Sequence, residues 1–203
     1  QIGRSAREAG ADATALIKMA AASRSDAARV AVAEAIGVYY SGRDRGVKVQ
    51  LALEALGKAA QSPLGQIAAL DALAKLGHFD AKPAKWALGL LQGGAPEVQA
   101  AALGHIWRWQ TAAGSDVVMD ALVALWPTLT TQRREILRTM ESISNGTDGP
   151  RLVARVDVRE ILIAALRGGE RNSALHVLRK MCDTPLGLRI ARREAVFDAV
   201  GWW

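Results

Sequence analysis

The feature of this sequence that most constrains its fold is a helical segment that occurs three times with small changes. Asp26–Ile36, Leu64–Leu73 and Pro96–Ile106 each carry an early polar or acidic residue, a Val or Ile, an alanine pair and then Leu or Ile. Apolar residues at this spacing predict an amphipathic α-helix. The copies are separated by roughly 30–40 residues, a period typical of stacked helical units. The sequence therefore predicts repeated helix pairs.

Short local signals mark the boundaries of further helices. Ser25 and Ser62-Pro63 are typical of helix starts, and Gly77 is typical of a helix end. Val47–Leu53 is the one run that resembles a strand, and its apolar spacing favours a helix instead. Besides the three copies, we predict helices at Val47–Ala60, Lys82–Leu91, Ser115–Leu125, Gln132–Ser144, Val156–Arg167, Arg171–Asp183 and Leu188–Val200, with a loop at Asn145–Pro150.

The composition agrees with an all-α fold. Hydrophobic residues make up 50% of the chain but aromatic residues only 5%, so the apolar content is mostly Ala, Leu and Val. Alanine has the highest helix propensity, and its small side chain lets helices approach closely. A four-helix bundle would have fewer and longer helices. A tetratricopeptide array would show its Trp/Gly/Tyr and Ala/Phe signature, which this sequence lacks.

With the motif Pro96–Leu103, of the form P-E-V-x-A-A-A-L, the chain resembles the HEAT-repeat (HEAT/armadillo-like) family in its Ala/Leu-rich bacterial form. The resemblance covers most of the chain, with the clearest repeats in residues 1–145 and divergent helix pairs in residues 150–203. It implies a right-handed α-solenoid of about five antiparallel helix pairs, in a single domain over residues 1–203. Members of this superfamily mostly present surfaces to other macromolecules, so the resemblance implies binding without naming a ligand.

The sequence lacks the common catalytic and cofactor-binding motifs. It contains no phosphate-binding Gly-Lys-Ser/Thr loop, no G-x-G-x-x-G, no H-E-x-x-H, no C-x-x-C and no G-x-S-x-G. The histidines His78, His105 and His176 are far apart, and none has a ligand residue three or four positions later. We therefore predict a protein that is not an enzyme and that has no catalytic residues, no metal site and no cofactor.

Two tryptophans in one predicted helix suggest a binding surface. Trp107 and Trp109 are two positions apart, which places them roughly 200° apart around a helix axis. If Trp109 packs in the core with Ile106, then Trp107 lies on the opposite side beside Arg108. An exposed Trp next to Arg is typical of protein-binding hot spots and of base-stacking surfaces. The alternative is that Trp107 packs against the next helix pair.

Arginines are concentrated toward the C-terminal end of a chain whose net charge is +6. One group shares part of a predicted helix face, and a second forms an i, i+4, i+8 series if Arg151–Arg159 is helical. Side by side, such helices would form a positive stripe for phosphates or an acidic peptide. Interspersed glutamates leave ordinary surface ion pairing as the alternative. The predicted binding residues are Trp107, Arg108, Arg133, Arg134, Arg138, Arg155 and Arg159.

Three function hypotheses follow. The leading one is a non-catalytic scaffold that offers a helical groove to another protein or to an adjacent domain. The second is a nucleic-acid-binding protein similar to the HEAT-like DNA glycosylases. The third is a docking repeat domain of a larger bacterial enzyme. The start at Gln1 and the end at Trp202-Trp203 lead us to expect a fragment of a longer protein.

The sequence also bears on the cellular compartment. Charged residues interrupt every apolar stretch before the ~20 residues that a transmembrane helix needs, so no membrane partner is expected. No apolar segment of a signal peptide follows the early charges at the N-terminus. The one cysteine, Cys182, cannot form an internal disulfide, which fits a reducing compartment. We therefore predict a cytoplasmic protein.

Overall fold

The computed structural model describes residues 10–40, 47–146 and 149–182, and within these ranges it contains helices and no β-strand. The all-α class is therefore confirmed, including a helix where Val47–Leu53 resembled a strand. The helices are α1 Gly10–Ala22, α2 Asp26–Tyr39, α3 Val47–Ala59, α4 Pro63–Leu76, α5 Ala81–Gly93, α6 Pro96–Gly104, α7 Ile106–Ala113, α8 Ser115–Leu125, α9 Arg133–Ser144, α10 Gly149–Val153, α11 Val156–Arg167 and α12 Arg171–Cys182, with a 3-10 turn at Thr130–Gln132.

The chain divides into two compact units, Gln1–Ala113 and Gly114–Trp203. Unit 1 contains α1 to α7, and unit 2 contains α8 to α12. The single domain predicted over residues 1–203 stays a prediction.

In unit 1, helices that are next but one in the chain pack on each other. Helix α1 contacts α3, α3 contacts α5, and α5 contacts α7, while α2 contacts α4 and α4 contacts α6. Consecutive helices also pack together, as α3 does with α4 and α5 with α6. Neighbouring helix pairs in a stacked repeat make contacts of this kind.

Small residues allow α2 and α4 to approach closely. A Cβ atom at Gly37 would lie 3.0 Å from the Cα of Ala72, so a larger residue would push the two helices apart. Ala33 and Ala69 are fully buried beside fully buried leucines such as Leu70. Each buried leucine contributes roughly 1.5–3 kcal/mol of hydrophobic free energy. The alanine-rich composition therefore provides a tightly packed core and not merely helix propensity.

Asp26, paired with the buried Arg29, joins the start of α2 to the start of α4. Asp26 accepts hydrogen bonds from the backbone N–H groups of Gln61 (3.2 Å) and Ser62 (2.6 Å), and from the guanidinium of Arg29. Arg29 is buried and also donates to the carbonyl of Ser23. The hydrogen bonds from Ser62 and Arg29 hold the pKa of Asp26 well below its usual range. One carboxylate thus serves two helix starts.

Unit 2 repeats this kind of packing with its own helices. Helix α8 contacts α9 and α11, and α12 contacts α9 and α11. Fully buried side chains such as Leu122, Ile136 and Val158 form its core. Up to Cys182, where the described residues end, the unit therefore contains two helix pairs whose equivalent helices touch.

Helix boundaries match the local signals at several places. The Ser25 side chain accepts a hydrogen bond from the Ala28 N–H, and Gly77 follows the last residue of α4 with a φ of 127°. The predicted helix over Leu188–Val200 and the pair Trp202-Trp203 lie outside the described residues.

Three segments differ from the prediction. Helix α1, Gly10–Ala22, was not among the individual helices predicted. The single helix predicted from Pro96 to Trp109 is divided at His105, because Gly104 favours helix poorly and the His105 ring is held 2.7 Å from Asp71 of α4. The predicted loop ends early, since Gly149 already begins α10.

Candidate functional site

Trp107 and Trp109 lie on different sides of α7, as their spacing predicts. Trp109 is fully buried, and its indole Nε1 donates to the Ala102 carbonyl at 3.1 Å. Trp107 is 53% exposed. The expectation that one indole enters the core and the other does not is therefore confirmed, and Trp107 leaves about half of its surface available for a partner.

Two side chains, those of Arg108 and His78, contact the Trp107 indole. The Arg108 guanidinium carbon lies 4.0 Å from the centre of the indole, a cation–π distance. The ring of His78 meets the same indole edge-on, with 6.2 Å between ring centres and 88° between ring planes. We name Trp107, Arg108 and His78 the Trp107 surface. His78 was considered only as a metal ligand in the sequence, and no local signal linked it to Trp107.

A buried glutamine holds this surface in place. Gln50 of α3 donates through Nε2 to the His78 carbonyl (3.2 Å), and its Oε1 accepts from the Asp80 N–H (2.8 Å). The Phe79 N–H in turn donates to the Arg108 carbonyl at 3.1 Å. The backbone of both His78 and Arg108 is therefore fixed before any partner binds. A preorganised surface loses less conformational entropy on binding.

The Trp107 surface offers an apolar aromatic face, a guanidinium with several donors and an imidazole. Of these residue types, Trp and Arg are enriched in interface hot spots. Across the described ranges, no group of three or more His, Cys, Asp or Glu side chains is placed to hold a metal ion. The described helices are also too short or too polar to cross a bilayer.

Comparisons with protein-family models, with curated proteins and with solved structures find no match to this chain.

In unit 2, the predicted binding residue Arg155 is engaged by carboxylates. Its guanidinium bonds to Asp120 of α8 and to Asp157 of α11, each at 2.6 Å. These bonds raise the pKa of Arg155 and lower that of Asp157. Arg151 pairs in the same way with Asp116 at 2.8 Å. No local signal in the sequence indicated these pairs, because each joins residues 35 positions apart.

The predicted i, i+4, i+8 series is not on one helix, which corrects that part of the stripe. Arg151 belongs to α10, which ends at Val153, and Arg155 precedes α11 with an extended backbone (φ −60°, ψ 144°). Only Arg159 lies within α11. Asp120 of α8 and Asp157 of α11 hold Arg155 between the end of α10 and the start of α11. Arg155 therefore links α8 to α11 and does not continue a row with Arg151 and Arg159.

The arginines of α9 have different environments. Arg133 is half-buried with its guanidinium carbon 4.8 Å from the centre of the Trp126 indole. Arg138 pairs with Glu135 at 3.1 Å, while Arg134 is exposed. Surface ion pairing, the alternative to the positive stripe, therefore accounts for Arg138 as it does for Arg155.

Replacing Arg155 should test its role inside unit 2. We expect Arg155→Ala to lower the free energy of unfolding by about 1 kcal/mol, because it removes a partly exposed bridge between two carboxylates. The loss should shrink in high salt, which screens such pairs. Urea denaturation at low and high salt measures both effects. Arg134→Ala is the control and should change stability by less than about 0.5 kcal/mol; an equal loss in both variants would contradict the bridge.

Proposed function

We propose that this chain is a non-catalytic scaffold of HEAT-like helix pairs that binds another protein, or an adjacent domain, through the Trp107 surface. The observation that carries the proposal is the half-exposed indole of Trp107, with Arg108 against its face and with its position fixed through Gln50. Rigid aromatic and arginine side chains of this kind supply most of the binding energy in protein interfaces.

The HEAT-like architecture is supported by the spacing of side-chain bonds between helix pairs. Asp26 and Ser62 are 36 residues apart, Asp71 and His105 are 34, and Asp120 and Arg155 are 35. These separations fall within the period of the repeated sequence segments. A chain built from repeated pairs would bring residues one repeat apart into contact in this way.

The charge arrangement favours a protein partner over a nucleic acid. Binding to a phosphate backbone depends on cations that can exchange their counterions for phosphates. Arg138, Arg151 and Arg155 are instead paired with carboxylates of the same unit. The nucleic-acid hypothesis keeps one supporting observation, since Trp107 with Arg108 would also stack on an unpaired base. If the chain is instead a docking domain of a larger bacterial enzyme, the same Trp107 surface would contact a neighbouring domain of that enzyme.

Capture of partners by the full chain tests the proposal. We expect wild-type protein to retain at least one protein from a lysate of the source organism, and Trp107→Ala to retain more than about tenfold less of it, as for a hot-spot residue. Quantitative mass spectrometry of the captured proteins measures the ratio. Leu64→Ala is the matched control, because Leu64 is a 63% exposed apolar residue on α4.

Two results would overturn the scaffold function. The first is that Trp107→Ala and Leu64→Ala reduce the amount of captured partner equally. The other is tight binding of single-stranded or duplex DNA, at moderate salt, that Trp107→Ala abolishes, which would establish the nucleic-acid alternative.

A further inference from the structure

A second surface of unit 1 is an open groove of about 790 Å³ between α3 and α5. Its floor is apolar and its rim is basic. Among the lining residues are Glu54 and Lys58 of α3 and Lys82, Lys85, Trp86 and Gly89 of α5. A groove of this composition combines hydrophobic contact with charge selection.

The groove floor depends on a close contact between Trp86 and Gly57. A Cβ atom at Gly57 would lie 2.4 Å from two ring carbons of Trp86, so only glycine leaves room for the indole. Trp86 is 9% exposed, with the rest of its surface packed between the helices. The floor therefore includes a small exposed part of an indole that is otherwise packed between the two helices.

The groove carries a surplus of positive charge. Three lysines face one glutamate, a surplus of two charges, and the carboxylate of Glu54 is already bonded to Lys58. Lys82 and Lys85 are exposed, and neither forms an ion pair with any residue that the structure describes. Two ammonium groups beside an apolar floor are therefore available to pair with carboxylates of another molecule.

Gly89 leaves part of the groove wall without a side chain. It lies inside α5, is exposed, and a Cβ atom there would meet nothing within 4 Å. Glycine allows another backbone to approach a helix more closely than any other residue does. The groove is therefore open to the backbone of a bound segment at this position.

We propose that the α3/α5 groove binds an acidic amphipathic segment of a partner protein. The segment's carboxylates pair with Lys82 and Lys85, an apolar side chain contacts Trp86, and its backbone crosses at Gly89. This inference rests on the proposed scaffold function, since it requires a protein partner, but it uses residues distinct from the Trp107 surface.

Fluorescence anisotropy with the full chain tests the groove. The probe is a fluorescein-labelled helical peptide of Glu, Ala and Leu, with its leucines on one helix face. We expect it to bind wild type, and the double variant Lys82→Glu/Lys85→Glu to bind it more than about tenfold less tightly, because attraction becomes repulsion. The double variant Lys18→Glu/Lys75→Glu makes the same charge change at exposed lysines of unit 1 outside the groove, and should retain wild-type affinity.

A substitution at Gly89 separates binding from stability. Gly89→Ala should raise the melting temperature, because alanine favours the helix, while it weakens peptide binding because the added methyl group stands in the backbone's path. A higher melting temperature with unchanged affinity would overturn the crossing at Gly89.

The remaining outcomes also discriminate. No peptide binding, or equal weakening by both lysine double variants, would overturn the groove proposal. A third outcome is that duplex DNA binds wild type, that Lys82→Glu/Lys85→Glu weakens this binding, and that the peptide does not bind. It would assign the groove to nucleic acid instead. Trp107→Ala should bind the peptide like wild type. If the peptide does not bind but Trp107→Ala still reduces partner capture, only the groove proposal is overturned. If the peptide binds through the groove but Trp107→Ala does not reduce capture, only the role of the Trp107 surface is overturned.

Discussion

Trp109→Ala is expected to lower the free energy of unfolding by about 3–5 kcal/mol, whereas Trp107→Ala is expected to lower it by about 1 kcal/mol or less. Trp109 is fully buried, so truncation leaves a large cavity and removes the hydrogen bond to the Ala102 carbonyl. Trp107 is 53% exposed, so water replaces most of what is lost. Urea denaturation followed by far-UV circular dichroism measures both changes.

A variant that keeps an aromatic ring guards against complete unfolding. Small domains are stable by only about 5–15 kcal/mol, so Trp109→Ala can leave no folded baseline. Trp109→Phe retains most of the ring and should cost about 1–3 kcal/mol, through the lost Nε1–H donor and a smaller cavity. Equal losses for Trp107→Ala and Trp109→Ala would show that both indoles are structural, and would remove the stated basis of the Trp107 surface.

Arg29→Ala is expected to lower the free energy of unfolding at neutral pH by about 2 kcal/mol. Arg29 is 5% exposed and joins the Asp26 carboxylate to the carbonyl of Ser23, so its removal deletes two hydrogen bonds at partly buried acceptors and leaves a space in the packing. Urea denaturation at pH 7 measures the loss. Arg24→Ala, at an exposed arginine just before α2, is the control and should cost less than about 0.5 kcal/mol.

The same link should make stability depend on acid pH. Hydrogen bonds from Ser62 and Arg29 lower the pKa of Asp26 in the folded state, while the unfolded chain has an ordinary value of about 3.9. As pH falls from about 5 to about 3, the unfolded state therefore takes up a proton that the folded state does not, and stability decreases. Asp26→Asn cannot titrate. Its loss of stability over this interval should be smaller than that of wild type, and an equal loss would contradict the role of Asp26.

Helix positions could be predicted because the forces that set them act between near neighbours in the chain. Ser25 caps α2 and Gly77 follows the end of α4, and both effects involve backbone groups within one turn. The opposite sides taken by Trp107 and Trp109 follow from the helical repeat alone. The unpredicted α1 and the division of the Pro96–Trp109 helix show where this local reasoning fails, since the His105–Asp71 contact comes from another helix.

The sequence by itself determined that this chain folds into short amphipathic helices and that an indole at Trp107 is turned away from the core indole at Trp109. Only the tertiary structure decided what stands beside Trp107, which arginines of unit 2 are paired, and where the basic groove lies. The His78 ring contacts Trp107 while Gln50 holds the His78 carbonyl, Arg155 pairs with Asp120 across 35 residues, and the Trp86 indole packs against Gly57. Helix formation depends on residues three or four positions apart, whereas these contacts depend on how helices distant in the chain pack together.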